Sequence, residues 1–106
     1  MSPEKQAFLS LAIPPARVSI TEASWLLGFT EHDIAILISA GLLKPLGHPP
    51  ASGSKYFALA ELQALRSDTR WLAKASDATV IYWKKKNAGR IVRQSAVVLN
   101  PQPEAA

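Results

Sequence analysis

The stretch between residues 21 and 43 constrains the fold more than any other part of the chain. Behind Thr21, whose hydroxyl can cap a helix, apolar residues recur at helical spacing until Gly28. Thr30 then supplies a second capping hydroxyl, with Asp33 three residues later, and the apolar repeat resumes until a second glycine. Two short amphipathic helices joined by a tight turn that contains Gly predict a helix-turn-helix, in which the second helix is the reading helix.

Length and composition indicate a single small domain. A chain of 106 residues is long enough for one modest core. Charged residues interrupt each apolar run before it could span a membrane, and the start of the chain is a poor signal peptide, so we expect a cytoplasmic protein. The absence of cysteine excludes disulfides, thiol nucleophiles and cysteine-ligated zinc. We expect an N-terminal arm or short helix over residues 1–16, the main domain over 17–89 and a C-terminal extension over 90–106.

Several short motifs occur in an order that resembles the MerR and excisionase type of winged helix-turn-helix domain. The matching segments of the first half are Ile20–Ser24, Leu26–Thr30 and Gly41–Leu43. In that family a β-hairpin wing follows the second helix and carries Gly, a basic residue and aromatics ahead of a helix that starts with Asp/Glu-Leu. The order of Ser52–Phe57 and Glu61-Leu62 is similar. The resemblance covers residues 17–66 and implies a mainly α fold, a winged helix-turn-helix with a small β-hairpin wing and additional C-terminal helices.

The remaining elements follow from turn residues and apolar spacing. We expect Lys44 on the outgoing strand of the wing, a loop rich in Pro and Gly, and a returning strand over residues 55–57. Three helices should follow: one over residues 58–66, one over 69–75 behind Ser67-Asp68, and one that starts at Ser76-Asp77 and ends at residues 87–89. The segments 91–92 and 96–99 are predicted to be extended, and Pro101–Ala106 a disordered tail.

Positive charge is concentrated in the second half of the chain. Up to residue 43 there are two basic and four acidic residues, whereas from Lys44 onward there are ten basic and four acidic ones. The strongest basic feature is Lys84-Lys85-Lys86, with Arg90 and Arg93 close behind and Tyr82-Trp83 directly before it. Cations at a helix end also stabilise the helix dipole, but three consecutive lysines exceed that need. The pattern favours a polyanion such as nucleic acid as the partner.

The predicted reading helix itself carries no Arg or Lys. Its outward positions are Glu31, His32, Asp33, Ala35, Ile36 and Ser39. The two acidic residues suit capping and the helix dipole, yet they would face phosphates if this helix entered the major groove. Ala35 and Ile36 form an apolar patch that is expected to bury against a partner protein or another part of this chain. Two hypotheses therefore remain open, a DNA-binding module and a protein-interaction module.

An enzyme is the class that the sequence favours least. It contains no phosphate-binding Gly loop, nucleophile motif or metal-ligand spacing, and its two histidines lie sixteen positions apart, so we expect no catalytic residue, cofactor or metal. The favoured hypothesis is a small DNA-binding transcriptional regulator or excisionase-like architectural factor, and the alternative is an adaptor without DNA binding. A homodimer or protein partner would use the Ile36 face or the segment Ala96–Leu99. The residues expected at DNA are Thr30, His32, Ser39, Lys44, Ser54, Lys55, Tyr56, Lys84, Lys85, Lys86 and Arg90.

Overall fold

The computed structural model describes residues 2–98 of the chain, with side chains up to residue 88. This part is mainly helical, as predicted, and contains one two-stranded antiparallel sheet. In chain order the elements are α1 (Pro3–Leu9), β1 (Arg17–Ser19), α2 (Ile20–Leu27), α3 (Glu31–Ser39), β2 (Tyr56–Ala58), α4 (Leu59–Arg66) and α5 (Thr69–Val98).

Helices α2 and α3 each begin with a capping box. The α2 cap is Ser19, two residues before the predicted Thr21, and its side chain and that of Glu22 bond reciprocally to backbone N–H groups. The cap moves because Ser19 leaves the sheet in an extended conformation, which a cap residue needs. The Thr30 cap of α3, with Asp33 as its partner, is confirmed. Between the helices Gly28 adopts φ 81°, a left-handed conformation that favours glycine.

The sheet differs from the predicted hairpin wing. Residues 55–57 were expected to return along an outgoing strand at Lys44, but residues 44–55 contain no strand, and β2 pairs with β1 instead. The register places Val18 opposite Phe57, and both side chains are fully buried. Burial of this pair favours the β1–β2 pairing, and the prolines between residues 45 and 50 cannot donate to a ladder. The outgoing chain keeps one bond, from the Leu46 N–H to the Tyr56 carbonyl at 2.8 Å.

The core lies where α2, α3, α4 and the sheet meet. Its largest fully buried side chains are Phe57, Ile34, Leu37, Leu62 and Val18. Helix α1 covers one side of α2, with the Phe8 ring centroid 5.7 Å from that of Trp25, so of the two alternatives for the N-terminus, an arm or a short helix, the structure has the helix. The core therefore fixes the faces of α2 and α3 that point inward.

Helix α5 is one continuous helix, and the predicted division of residues 69–89 is wrong. Its start at Asp68 is as expected, because the Asp68 carboxylate accepts from the Trp71 N–H at 3.0 Å. Ser76-Asp77 does not interrupt it, since buried Ala75 and Thr79 hold this part of the helix against the domain. The helix also continues through Gly89 to Val98, so the expected extended segments at 91–92 and 96–98 are helical. Leu99 and the predicted tail, Pro101–Ala106, lie outside the described residues.

The two capping boxes should contribute measurably to stability. We expect Ser19→Ala and Thr30→Ala each to lower the free energy of unfolding by about 1 kcal/mol, because each leaves a helix N–H without its partner. Urea denaturation followed by circular dichroism measures this. Ser39→Ala, at an exposed position of α3, is the control and should change stability by less than about 0.5 kcal/mol. Equal effects of all three would contradict the capping role.

Candidate functional site

Helix α5 lies along α3, antiparallel to it, and is held near both ends of α3. Near the start of α3 the Trp83 indole N–H donates to Asp33 Oδ1 at 3.2 Å. Beyond the end of α3 the Trp71 indole N–H donates to the Leu42 carbonyl at 2.9 Å. The His32 ring also contacts Trp83, with centroids 4.9 Å apart. The predicted reading helix is therefore partly covered by α5.

The prediction of an exposed Ile36 face is wrong. Ile36 is only 6% exposed, because α5 covers this face of α3. Burial against another part of the chain was one of the two expected outcomes for this patch, and it is found for Ile36. Ile36 is therefore not available as a contact between copies, whereas the adjacent Ala35 stays exposed.

A groove of about 460 Å³ runs between α3 and α5. Its lining is mostly apolar and includes several small side chains. The residues that line it are His32, Ala35, Ile36, Ser39 and Ala40 from α3 and the residue after it, and Ala78, Ile81, Tyr82 and Lys85 from α5. The groove brings together three residues that the sequence assigned to DNA binding, His32, Ser39 and Lys85.

The acidic residues at the start of α3 have structural partners. Glu31 Oε2 accepts from the Thr21 hydroxyl at 3.0 Å and so connects α3 to α2. Asp33 uses both carboxylate oxygens, Oδ2 for the Thr30 N–H and Oδ1 for the Trp83 indole. Both carboxylates are therefore engaged in holding α3 in place, Asp33 as the predicted cap partner and Glu31 through α2.

The lysine run lies beside the start of α3. Lys84, Lys85 and Lys86 are all exposed on α5. Lys86 Nζ lies 5.7 Å from the ring centroid of Tyr82 and 5.8 Å from that of Trp83, within range of a cation–π interaction. Both rings pack on His32, so α5 supplies the positive charge that α3 lacks. The side chain of Arg90 lies outside the described residues.

The predicted wing residues form a second, smaller group. Ser54, Lys55 and Tyr56 line a hollow of about 210 Å³ with the three residues around the start of α2, Ser19, Ile20 and Thr21. Lys55 has a structural task there, because its ammonium group donates to the carbonyls of Ala51 at 3.0 Å and Gly53 at 3.2 Å. The predicted role of Lys55 at a DNA backbone would have to compete with these two bonds.

The two groups are connected, although not all predicted site residues belong to them. The bond between Thr21 in the hollow and Glu31 next to His32 links the hollow to the start of α3. Thr30 is the exposed cap between α2 and α3. Lys44 is exposed on the loop after α3 and lines neither the groove nor the hollow.

Sequence reasoning missed two features of the site. The Arg17 guanidinium lies over the Tyr56 ring, 4.1 Å from its centroid, through the strand pairing that the sequence did not predict. Ile81 is 55% exposed at the edge of the groove and was not singled out. A signal for Ile81 exists, since Lys74, Ala78, Ile81 and Lys85 are spaced 4, 3 and 4 residues apart, one stripe of a continuous helix. This stripe was not recognised because the sequence predicted that one helix ends and another begins near residue 76.

Comparisons of the chain with protein-family models, with curated proteins and with solved structures find no match. Within residues 2–98, no cluster of three or more His, Cys, Asp or Glu side chains is placed to hold a metal ion. No helix in the described part of the chain combines the length and the apolar character needed to cross a membrane. The site must therefore be interpreted from its own geometry.

Lys55 should be needed to order the loop before β2. We expect Lys55→Ala to accelerate amide hydrogen exchange in residues 51–54, because two loop carbonyls lose their donor. Hydrogen exchange read by NMR measures this. Lys44→Ala, at an exposed position earlier in the same loop, should leave these amides unchanged, and an equal effect of both would show that net charge alone is responsible.

The bond between Trp83 and Asp33 should stabilise the contact of α5 with α3. We expect Trp83→Phe to lower the free energy of unfolding by about 1 kcal/mol, since the Asp33 carboxylate loses a half-buried donor. Chemical denaturation measures the loss. Tyr82→Phe, which keeps the ring beside His32, is the matched control and should have an effect below about 0.5 kcal/mol. Indistinguishable variants would argue against the hydrogen bond.

Proposed function

We propose that residues 17–66 form a winged helix-turn-helix and that the chain binds double-stranded DNA, as a small transcriptional regulator or excisionase-like architectural factor of the cytoplasm. The capped helices α2 and α3, with the left-handed Gly28 between them, support the helix-turn-helix. In place of the hairpin, the loop that Lys55 orders and the strand β2 would serve as the wing.

One observation carries the proposal of DNA binding, the position of the lysine run beside the exposed part of α3. Lys85 lines the groove with His32 and Ser39, and Lys86 lies near the two rings that pack on His32. If α3 enters the major groove of DNA, lysines at this position can contact the phosphates that border it. Phosphate contacts supply most of the affinity of non-specific DNA binding.

The chemistry of α3 points to weak discrimination between sequences. Its exposed side chains include Glu31, His32, Ala35 and Ser39, and none of these can make the bidentate contact to guanine that Arg or Lys provides. Contacts to the backbone would therefore outweigh contacts to bases. Such a balance suits an architectural factor better than a regulator with a single target site.

Two copies on neighbouring half-sites would compensate for the small area of one reading helix. Ile36 is buried and contributes nothing to such a contact. The contact between two copies would therefore use the other expected region, the far end of α5, which includes Ala96.

The experiment is a titration of labelled random-sequence duplex DNA, followed by fluorescence anisotropy at several salt concentrations. We expect micromolar binding that weakens steeply with salt. Replacing Lys84, Lys85 and Lys86 together by Ala should weaken binding to every duplex and reduce the slope of log K against log salt by about two to three, because about 0.9 counterions are released per phosphate contact.

Lys5→Ala is the control for the loss of charge elsewhere, since Lys5 lies on α1. It should leave the salt slope within the error of the measurement. The absence of binding even at low salt would refute the proposal. If the triple variant binds DNA with an unchanged salt slope, the lysine run is not the contact, and another surface of the protein binds the DNA.

A further inference from the structure

The groove between α3 and α5 has a floor suited to close packing of a third helix. Four of its lining residues are Ala35, Ser39, Ala40 and Ala78, whose side chains are small. Small side chains allow helix axes to approach at the lower end of the usual 8–10 Å range. Ile36 closes the bottom, only 6% exposed.

One large apolar side chain remains uncovered at the rim. Ile81 is 55% exposed and lines the groove, although it lies in the middle of a helix that is otherwise anchored to the domain. Ile81 is continuous with the mostly apolar lining of the groove, and contiguous apolar surface marks contact sites more often than a single exposed side chain does. An apolar side chain of a partner, inserted between Ile81 and Ala35, would bury it.

Two of the charges near this apolar centre are positive and lie on one stripe of α5. On the stripe of α5 that contains Ala78 and Ile81, the next positions at helical spacing are Lys74 before and Lys85 after. Both lysines are exposed. The stripe thus consists of a lysine, an alanine, an isoleucine and a second lysine. At 1.5 Å per residue, Lys74 and Lys85 are about 16 Å apart along the helix axis.

We propose that the groove between α3 and α5 docks an amphipathic helix of a partner protein that has an apolar centre and acidic residues about three turns apart at its two ends. The apolar centre would contact Ile81 and Ala35, and the acidic ends would pair with Lys74 and Lys85. A surface of this kind recognises helices through side chains at i, i+3, i+4 and i+7. The inference goes beyond DNA binding and does not depend on it.

Charge favours an acidic helix over two other possible occupants of the groove, a second copy of this chain and DNA. A second copy that docked through the same stripe of α5 would set Lys74 and Lys85 against lysines. A DNA phosphate can pair with Lys85 at the rim, as proposed above, but it has no apolar surface with which to fill the floor of the groove. An amphipathic helix with acidic ends can pack on the apolar floor and pair with both lysines at the same time.

The test uses the full chain and three synthetic helical peptides, each labelled with fluorescein. All three share a centre with leucines at i, i+3 and i+7, and their ends carry two glutamates, two glutamines or two lysines each. Anisotropy titrations at low salt should show that the glutamate peptide binds, that the glutamine peptide binds about tenfold more weakly, and that the lysine peptide does not bind.

The structure offers a matched pair of variants that locate the site. Ile81→Asp introduces a charge at the rim of the groove and should weaken the glutamate peptide at least tenfold. Its neighbour Val80 is 51% exposed but points away from the groove, so Val80→Asp should have less than a twofold effect. Circular dichroism confirms that both variants fold, which is expected because both side chains are exposed.

A second pair tests the charge. Lys85→Glu should weaken the glutamate peptide and allow the lysine peptide to bind, whereas Lys84→Glu, next to it but outside the groove, should do so much less. Three results would overturn the proposal. No peptide binds at millimolar concentration, the three peptides bind equally, or the two variants of a pair behave alike. It is also overturned if Ile81→Asp abolishes self-association in sedimentation without any effect of peptide charge, which would make a second copy the occupant. Loss of DNA binding has no bearing on these outcomes.

Discussion

The contact of α5 with α3 determines what this molecule can present to a partner. Two indoles make it, Trp71 on the Leu42 carbonyl and Trp83 on the Asp33 carboxylate. Because each indole N–H is at least partly shielded from water, its bond adds direction to the apolar packing of Ile36, Ala78 and the neighbouring residues. The direction matters because it fixes the position of α5 along α3, and with it the positions of the lysines from Lys74 to Lys86.

The same contact explains how an acidic helix start and a basic surface coexist. Asp33 closes the capping box of α3 with one oxygen and receives Trp83 with the other. Glu31 is used to hold Thr21 of α2. The cations of the site come from a different helix, where Lys85 and Lys86 follow Trp83 within three residues. The acidic acceptors thus lie on α3 and the cations on α5, and a lysine can be replaced without removing an anchoring hydrogen bond.

Sequence reasoning was most successful where the deciding interactions are local. The Thr30–Asp33 box, the turn at Gly28 and the helix that begins near Leu59 follow from residues within a few positions of one another. It failed at Ser76-Asp77, which has the composition of a cap but lies in mid-helix because Ala75 and Thr79 are buried on either side of it. Of the candidate site, His32, Ser39 and Lys85 were predicted from the sequence, but the groove that brings them together was not.

The sequence by itself determined the two short helices α2 and α3, the cap of α3, the mainly helical class and the excess of positive charge in the second half of the chain. Each of these depends on short-range spacing or on composition. Only the tertiary structure decided that β2 pairs with β1, that Ile36 is buried and that the lysine run lies beside His32. The physical reason is distance along the chain: Asp33 and Trp83 are 50 residues apart, and the spacing of residues within a helix carries no information about which distant helix will cover its outer face.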